Sequence, residues 1–453
     1  MKESHATESN TGQSNAESNT SRYLFYSSVL ILCIVYGMAA EKYKLFPSPM
    51  LHSLVDNAKL AVGELWGDSK TWYYVDAKTR KQVPVYKADE VQPGLTLITG
   101  LGAERSLVMK VINFNGDVVN QWDLDWHKIW PDATHLSPDV IPRGKPGTHI
   151  HGSTLMDNGD IIFNFEHLGL VRLDTCGNTV FRVPYSTHHA VNVDDQGNIW
   201  TPGEVVHTEL TPEYPNYLPP YKEATVAEIS PQGELLRTIS LMALLKDNGY
   251  EGLMNLSTLV SRKPRVKGDV YHLNDVEVFP KSLPEGVFKH GDVMVSMRNI
   301  NTVLVFDPQS LKIRFVSTGQ FVRQHDPDFI DGNRFSVYDN NLVAAKGAAN
   351  NHSKIVIVSA LDGSVTPYFK GSNAIPFYSY IMGKHQWLDN GNLLMVESMN
   401  GRALELNPQG QLVWEYNNLI AQKGVVGIME GTERLAPMFD ESFFAQRRAA
   451  CTH

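Results

Sequence analysis

From Gly94 to about residue 435 the hydrophobic pattern has one dominant period, and that period is two. Short runs alternate apolar and polar residues, as strands with one buried face do. Most are joined by turns built on Asp/Asn-Gly, whose residues tolerate the positive φ of tight hairpins. The segments "HGSTLMDNGDIIFNF" from His151, "HAVNVDDQGNIWTPG" from His189, "HLNDVEVFPKS" from His272, "HDPDFIDGNRFSVYDN" from His325 and "HQWLDNGNLLMVES" from His385 each set a histidine before such runs. Most units continue into a second pair, for example "GLVRLDTCGNTVFRVPY", "TVLVFDPQSLKIRFVST" and "RALELNPQGQLVWEYNN". Four short antiparallel strands per unit make a propeller blade. A further unit without the histidine, "GLTLITGLGAERSLVMKVINFNGDVVNQWDL" from Gly94, brings the expected number to six. The expected fold is all-β, a six-bladed β-propeller.

The N-terminus follows another pattern. "YLFYSSVLILCIVYGMAA", Tyr23 to Ala40, carries no charge and falls within the roughly 17 to 25 residues that cross a bilayer. The propeller is therefore expected to follow a single transmembrane helix. A cleaved signal peptide is the alternative, because Gly37-Met38-Ala39 has small residues at a suitable separation. The long polar leader fits that alternative poorly. Residues 1–22 are rich in Ser, Asn, Thr and Glu and are expected to be disordered. Lys2 and Arg22 before the helix balance Lys42 and Lys44 after it, so charge leaves the orientation open. The expected location is membrane, single-pass, with a periplasmic or extracellular soluble domain. The expected division is a tail (1–22), a transmembrane helix (23–40), a linker and flanking segment (41–93), the propeller (94–435) and a C-terminal tail (436–453).

Charge changes this picture little. The formal net charge is -9 and the 40 Lys and Arg form no basic run, which argues against a nucleic-acid partner. Cys33, Cys176 and Cys451 lack metal-type spacing, and at most Cys176 and Cys451 could pair.

Candidate chemistry comes from the repeated histidine. Innermost strands line a propeller's channel, so a histidine at the entrance of each first strand would face one axis. The plainer reading is that such residues only fix the register between blades; five equivalent positions favour a functional ring. His127, His167, His207, His290 and His352 lie outside this context and are assigned no role.

The segments "THHAVNVDDQGNIW", "HLNDVEVF" followed by "VMVSMRNINTVLVFDP", and "QHDPDFIDGNRFSVYDNN" resemble the bacterial-type arylsulfotransferases over roughly residues 94–435. The resemblance implies sulfuryl transfer from an aryl sulfate to a phenol through a sulfohistidine, without a nucleotide donor or other cofactor. It implies His325 as nucleophile and catalytic roles for His272, Arg298 and His189. Asn274, His188, His151 and His385 are expected to bind substrate, and no metal is expected. The short-loop disulfide of secreted members of the family has no counterpart here.

These residue types suit the chemistry. A neutral imidazole is an adequate nucleophile near neutral pH, and a planar guanidinium can hold sulfuryl oxygens. His272, Asn274 and His189 are expected to donate hydrogen bonds, one of the set acting as general acid. Asp326 is expected to cap a turn, and Tyr214, Tyr217 and Tyr221 to stack on an aromatic substrate or simply to pack. Two rival readings stand beside this one: an anchored propeller serving as a non-catalytic scaffold, and a metal-dependent hydrolase using His189, His272, His325 and His385.

Overall fold

The alternating runs form six antiparallel sheets arranged as blades. The computed structural model describes residues 12–43, 45–46, 48, 73–256, 265–343, 351–420 and 424–451. Blades 2, 4 and 5 are continuous in sequence, with innermost strands Ile150–Leu155, Leu273–Val278 and His325–Asp331. Blade 3 begins with the short Asn192–Val193 and gains a parallel outer strand, Val266–Asp269, from the insertion that follows it. Blade 6 runs from His385–Trp387 outward to Leu412–Asn417, where Val85–Tyr86 adds a further strand at the edge.

Blade 1 closes the ring. Its three outer strands lie between Thr96 and Asp123, but its innermost strand is Met429–Arg434, from near the C-terminus. Chain ends from opposite termini thus share one sheet. Arg434 continues the closure into blade 6 through a buried ion pair with Glu405, at 3.0 Å. The segment after the ring is also ordered: helix Glu441–Ala449 is capped by Asp440 and buries Phe444 against the first two blades. Cys451 just beyond it forms a disulfide with Cys176 of blade 2.

Period-two alternation explains why the ring holds. Blade 2 sends Ile161 and Phe163 toward a core shared with blade 1, while Ile162 between them packs on blade 3. The other interfaces repeat this arrangement, between blades 3 and 4, 4 and 5, 5 and 6, and 6 and 1. Second strands are covered on both faces, so Ile161–Phe165, Val293–Met297 and Leu393–Glu397 are buried throughout. Each fully buried aliphatic side chain contributes on the order of 1.5–3 kcal/mol.

Residues 1–71 and 72–453 are separate compact units. In the first, helix Gly12–Tyr43 contains a span, Thr20–Tyr43, of mean hydropathy 1.9, long and apolar enough to cross a bilayer. An anchor and a signal sequence both satisfy that description. Of the expected tail, residues 1–11 lie outside the described residues, whereas 12–22 belong to helix Gly12–Tyr43 and are helical rather than disordered; of the expected linker, 44, 47 and 49–72 lie outside them.

Candidate active site

The site is built by interruptions of the innermost strands. Pairing register slips between Ile150 and Ser153 in blade 2, Leu273 and Asp275 in blade 4, His325 and Asp328 in blade 5, and Met429 and Gly431 in blade 1. Bulges re-aim side chains, and these carry His151, Asn274, Asp326 and Glu430. Backbone strain collects at the same level. His167, His189, His272 and Asp326 all have φ between 49° and 60°, an unusual conformation for residues other than glycine. Gly152 is required here, because a Cβ on it would lie 1.6 Å from the His189 carbonyl oxygen.

His325, His189, His151 and Asn274 line one narrow cavity together with Asp326, Lys384 and Glu430. His325 is 3% exposed. Its Nδ1 lies 2.7 Å from Asn340 Oδ1 and 3.1 Å from the Arg323 carbonyl. The Asn340 amide is oriented by its Nδ2, which donates to the carbonyls of Ser379 and Met382. Both neighbours of Nδ1 are therefore acceptors, and Nδ1 must carry the proton. The lone pair is left on Nε2, which is buried and has no hydrogen-bond partner. Burial, then the charge of Arg298, holds the imidazole well below its ordinary pKa, so it stays neutral.

Arg298 begins the short helical turn Arg298–Ile300 after the second strand of blade 4, and its backbone N–H donates to the His272 carbonyl. Its Nε is buried without a partner. Burial and the charge of Arg323 lower the guanidinium pKa to about 10, so it remains cationic at neutral pH.

A second element of order is a chain of imidazoles. His272 Nδ1 is hydrogen-bonded to Asp269, His272 Nε2 lies 3.2 Å from His189 Nε2, and His189 Nδ1 lies 2.8 Å from His188 Nδ1. Burial would raise the Asp269 pKa, but the hydrogen bond and charge of His272 outweigh it and hold the carboxyl at about 2. An ionised carboxylate only accepts. The polarity of the whole chain follows: His188 donates to His189, His189 to His272, and His272 to Asp269. Burial lowers the pKa of all three histidines.

These contacts change several of the expected roles. Asn274 donates one of its two Nδ2 hydrogens to the Gln324 carbonyl, at 2.7 Å, and presents an unpartnered Oδ1. His272 and His189, neutral and with one N–H each, use their donors within the chain. His188 stands behind His189 and does not line the cavity. His385 leaves the ring altogether. Its Nδ1 lies 2.9 Å from Asp326, its Nε2 2.7 Å from Ser336 Oγ, and it lines a wider neighbouring cavity with Asp328 and Trp387. Asp326 does not cap a turn but holds His385 and Lys384. Tyr217 and Tyr221 are buried in the core between blades 3 and 4, with Tyr214 packed against it, so these rings pack.

The sequence reading missed Asn340, Asp269 and Glu166, and His167 does have a place. The His167 ring lies 4.6 Å from that of His188, and its Nδ1 is 3.2 Å from Glu204. The pattern "THIHG" signalled two histidines on one strand face and was not used. Among the described residues, no group of metal-type side chains includes His272 or His325, so the four-histidine metal set is not assembled.

This architecture defines the class: a six-bladed β-propeller with a buried site lined by imidazoles, near an arginine whose Nε has no hydrogen-bond partner. The arylsulfotransferase (ASST) family model matches residues 152–419. The chain belongs to that family, and sulfotransferase-type enzyme activity is what the membership supports. No curated protein matches. Similar solved structures include a protein of unknown function from Bacteroides caccae, with 12% identity, a TM-score of 0.46, and 75% of this chain and 98% of that one covered. A streptogramin B lyase structure matches at 9% identity and a TM-score of 0.38, covering 74% of this chain and 86% of that one.

Proposed function

We propose that the protein transfers a sulfuryl group from an aryl sulfate to a phenolic acceptor through a sulfohistidine on His325. The observation that carries this reading is the buried, unpartnered Nε2 of a neutral imidazole whose other nitrogen is fixed as a donor. Nε2 attacks sulfur, the bond from sulfur to the aryl oxygen breaks, and the aryl oxide leaves. Arg298 pairs with the sulfuryl oxygens, on which charge spreads as it does in phosphoryl transfer. The aryl oxide takes its proton from solvent, because the His272 Nδ1 proton is committed to Asp269 and its Nε2 accepts from His189. In the second half-reaction the acceptor phenol loses its proton to solvent and attacks sulfur as the phenolate, and the N–S bond breaks, restoring the neutral His325 imidazole.

We further infer that the propeller works on the outer side of a membrane, where disulfides persist. The Cys176–Cys451 bridge supports that side, and the apolar span Thr20–Tyr43 supports an anchored chain.

Intact mass of the full-length protein in detergent, after brief exposure to an aryl sulfate, tests the central claim. A gain of about 80 Da in the wild type and none in His325→Ala is the expected result. An adduct that persists in His325→Ala removes His325 as nucleophile.

A further inference from the structure

One wall of the cavity that His325 also lines gathers a second constellation, built from other side chains than His325 and Arg298. His149 and His151 are two residues apart at the start of blade 2's innermost strand, so their rings project to one face. The ring centroids are 5.4 Å apart. Glu430, at the bulge in blade 1's innermost strand, brings a carboxylate oxygen within 4.8 Å of a nitrogen of each ring. Glu430 is 4% exposed, and its Oε2 has no hydrogen-bond partner. Leaving a carboxylate oxygen buried and unpaired is costly, and a cation would remove that cost.

Glu166 adds the other half of such a site. It is paired with His149 and lies 3.4 Å from His151 Nδ1. Carboxylates that grip ligating imidazoles in this way fix ring orientation and tautomer in metal centres. Two other triads have the right residue types but already hold a cation. Lys222 sits 2.8 Å from Glu204 beside His167 and His188, and Lys384 sits 2.5 Å from Asp326 beside His385.

We propose that His149, His151 and Glu430 bind a divalent transition-metal ion, with Glu166 positioning the two imidazoles. Two nitrogens and one carboxylate match the donor preferences of Zn2+, whereas Ca2+ and Mg2+ take oxygen sets. Three protein ligands leave a coordination position for water or another ligand. The site requires nothing of the sulfuryl-transfer reading, because neither His325 nor Arg298 is a ligand.

The test is isothermal titration of the chelator-treated, full-length protein in detergent with ZnCl2, and separately with CaCl2. One equivalent of Zn2+ is expected, with affinity falling at least ten-fold in Glu430→Gln and in His149→Gln and unchanged in His290→Gln, which alters an exposed histidine. Absence of stoichiometric Zn2+ binding, unchanged affinity in both site variants, or preference for Ca2+ overturns the proposal. If circular dichroism shows that Glu430→Gln fails to fold, the partly exposed His149→Gln decides.

Discussion

His325 and His385 open the innermost strands of adjacent blades, follow the same sequence pattern and are both buried. Their chemistry is opposite. His325 faces two carbonyl-type acceptors on one nitrogen and nothing on the other. His385 lies between Asp326 and Asp328; burial would lower its pKa, but the two carboxylates outweigh it and raise it. Equivalent positions in a repeat fix where a side chain starts, while its neighbours decide whether it is a nucleophile or one half of an ion pair.

The largest test of this contrast is exchange of roles. His325→Ala should lower transfer at least about a thousand-fold with the fold intact, whereas His385→Gln should still form the covalent adduct. Loss of the adduct in both would show that His385 also serves the chemistry. Arg298→Lys should lower kcat/KM by about a hundred-fold, since an ammonium lacks the planar fork; steady-state rates with an aryl sulfate read this directly. Asn340→Leu removes the acceptor that fixes the His325 tautomer and should cost about ten-fold in the rate of adduct formation.

Stability should separate the two histidines differently. Removing one partner of a buried ion pair costs about 3–5 kcal/mol, so His385→Gln should lower the denaturant midpoint clearly more than His325→Ala does.

The smallest effect is one of pH. The folded pKa of His385 lies above its unfolded value of about 6.5, so its contribution is complete below that pH and is lost as pH rises through the folded value, with a slope of up to about 1.4 kcal/mol per unit. His325 behaves inversely: its folded value is depressed, so stability falls as pH drops below about 6.5. Thermal midpoints across pH should show the alkaline decline in the wild type and a shallower one in His385→Gln.

Much of the fold could be read along the chain, because each blade is local and its hairpins are set by alternation and turn residues. Closure could not. The innermost strand of blade 1, Met429–Arg434, pairs with Thr96–Leu101 across almost the whole propeller sequence, and no local pattern names that partner. Among the site residues, His325, His272, His189, His151 and Arg298 were found because they stand at repeated or motif positions. Asn340 and Asp269 were missed because they act by touching a histidine, and a hydrogen bond between separate strands leaves no periodic mark.

The sequence alone determined the number of blades, the apolar span Tyr23–Ala40 and the level of the fold at which the histidines cluster, since all three follow from local periodicity and composition. The tertiary structure alone decided which imidazoles stay neutral, which way their protons point, and that Glu430 meets His149 and His151. Protonation state and tautomer depend on burial and on partners a few ångströms away, and folding brings those partners together from distant parts of the chain.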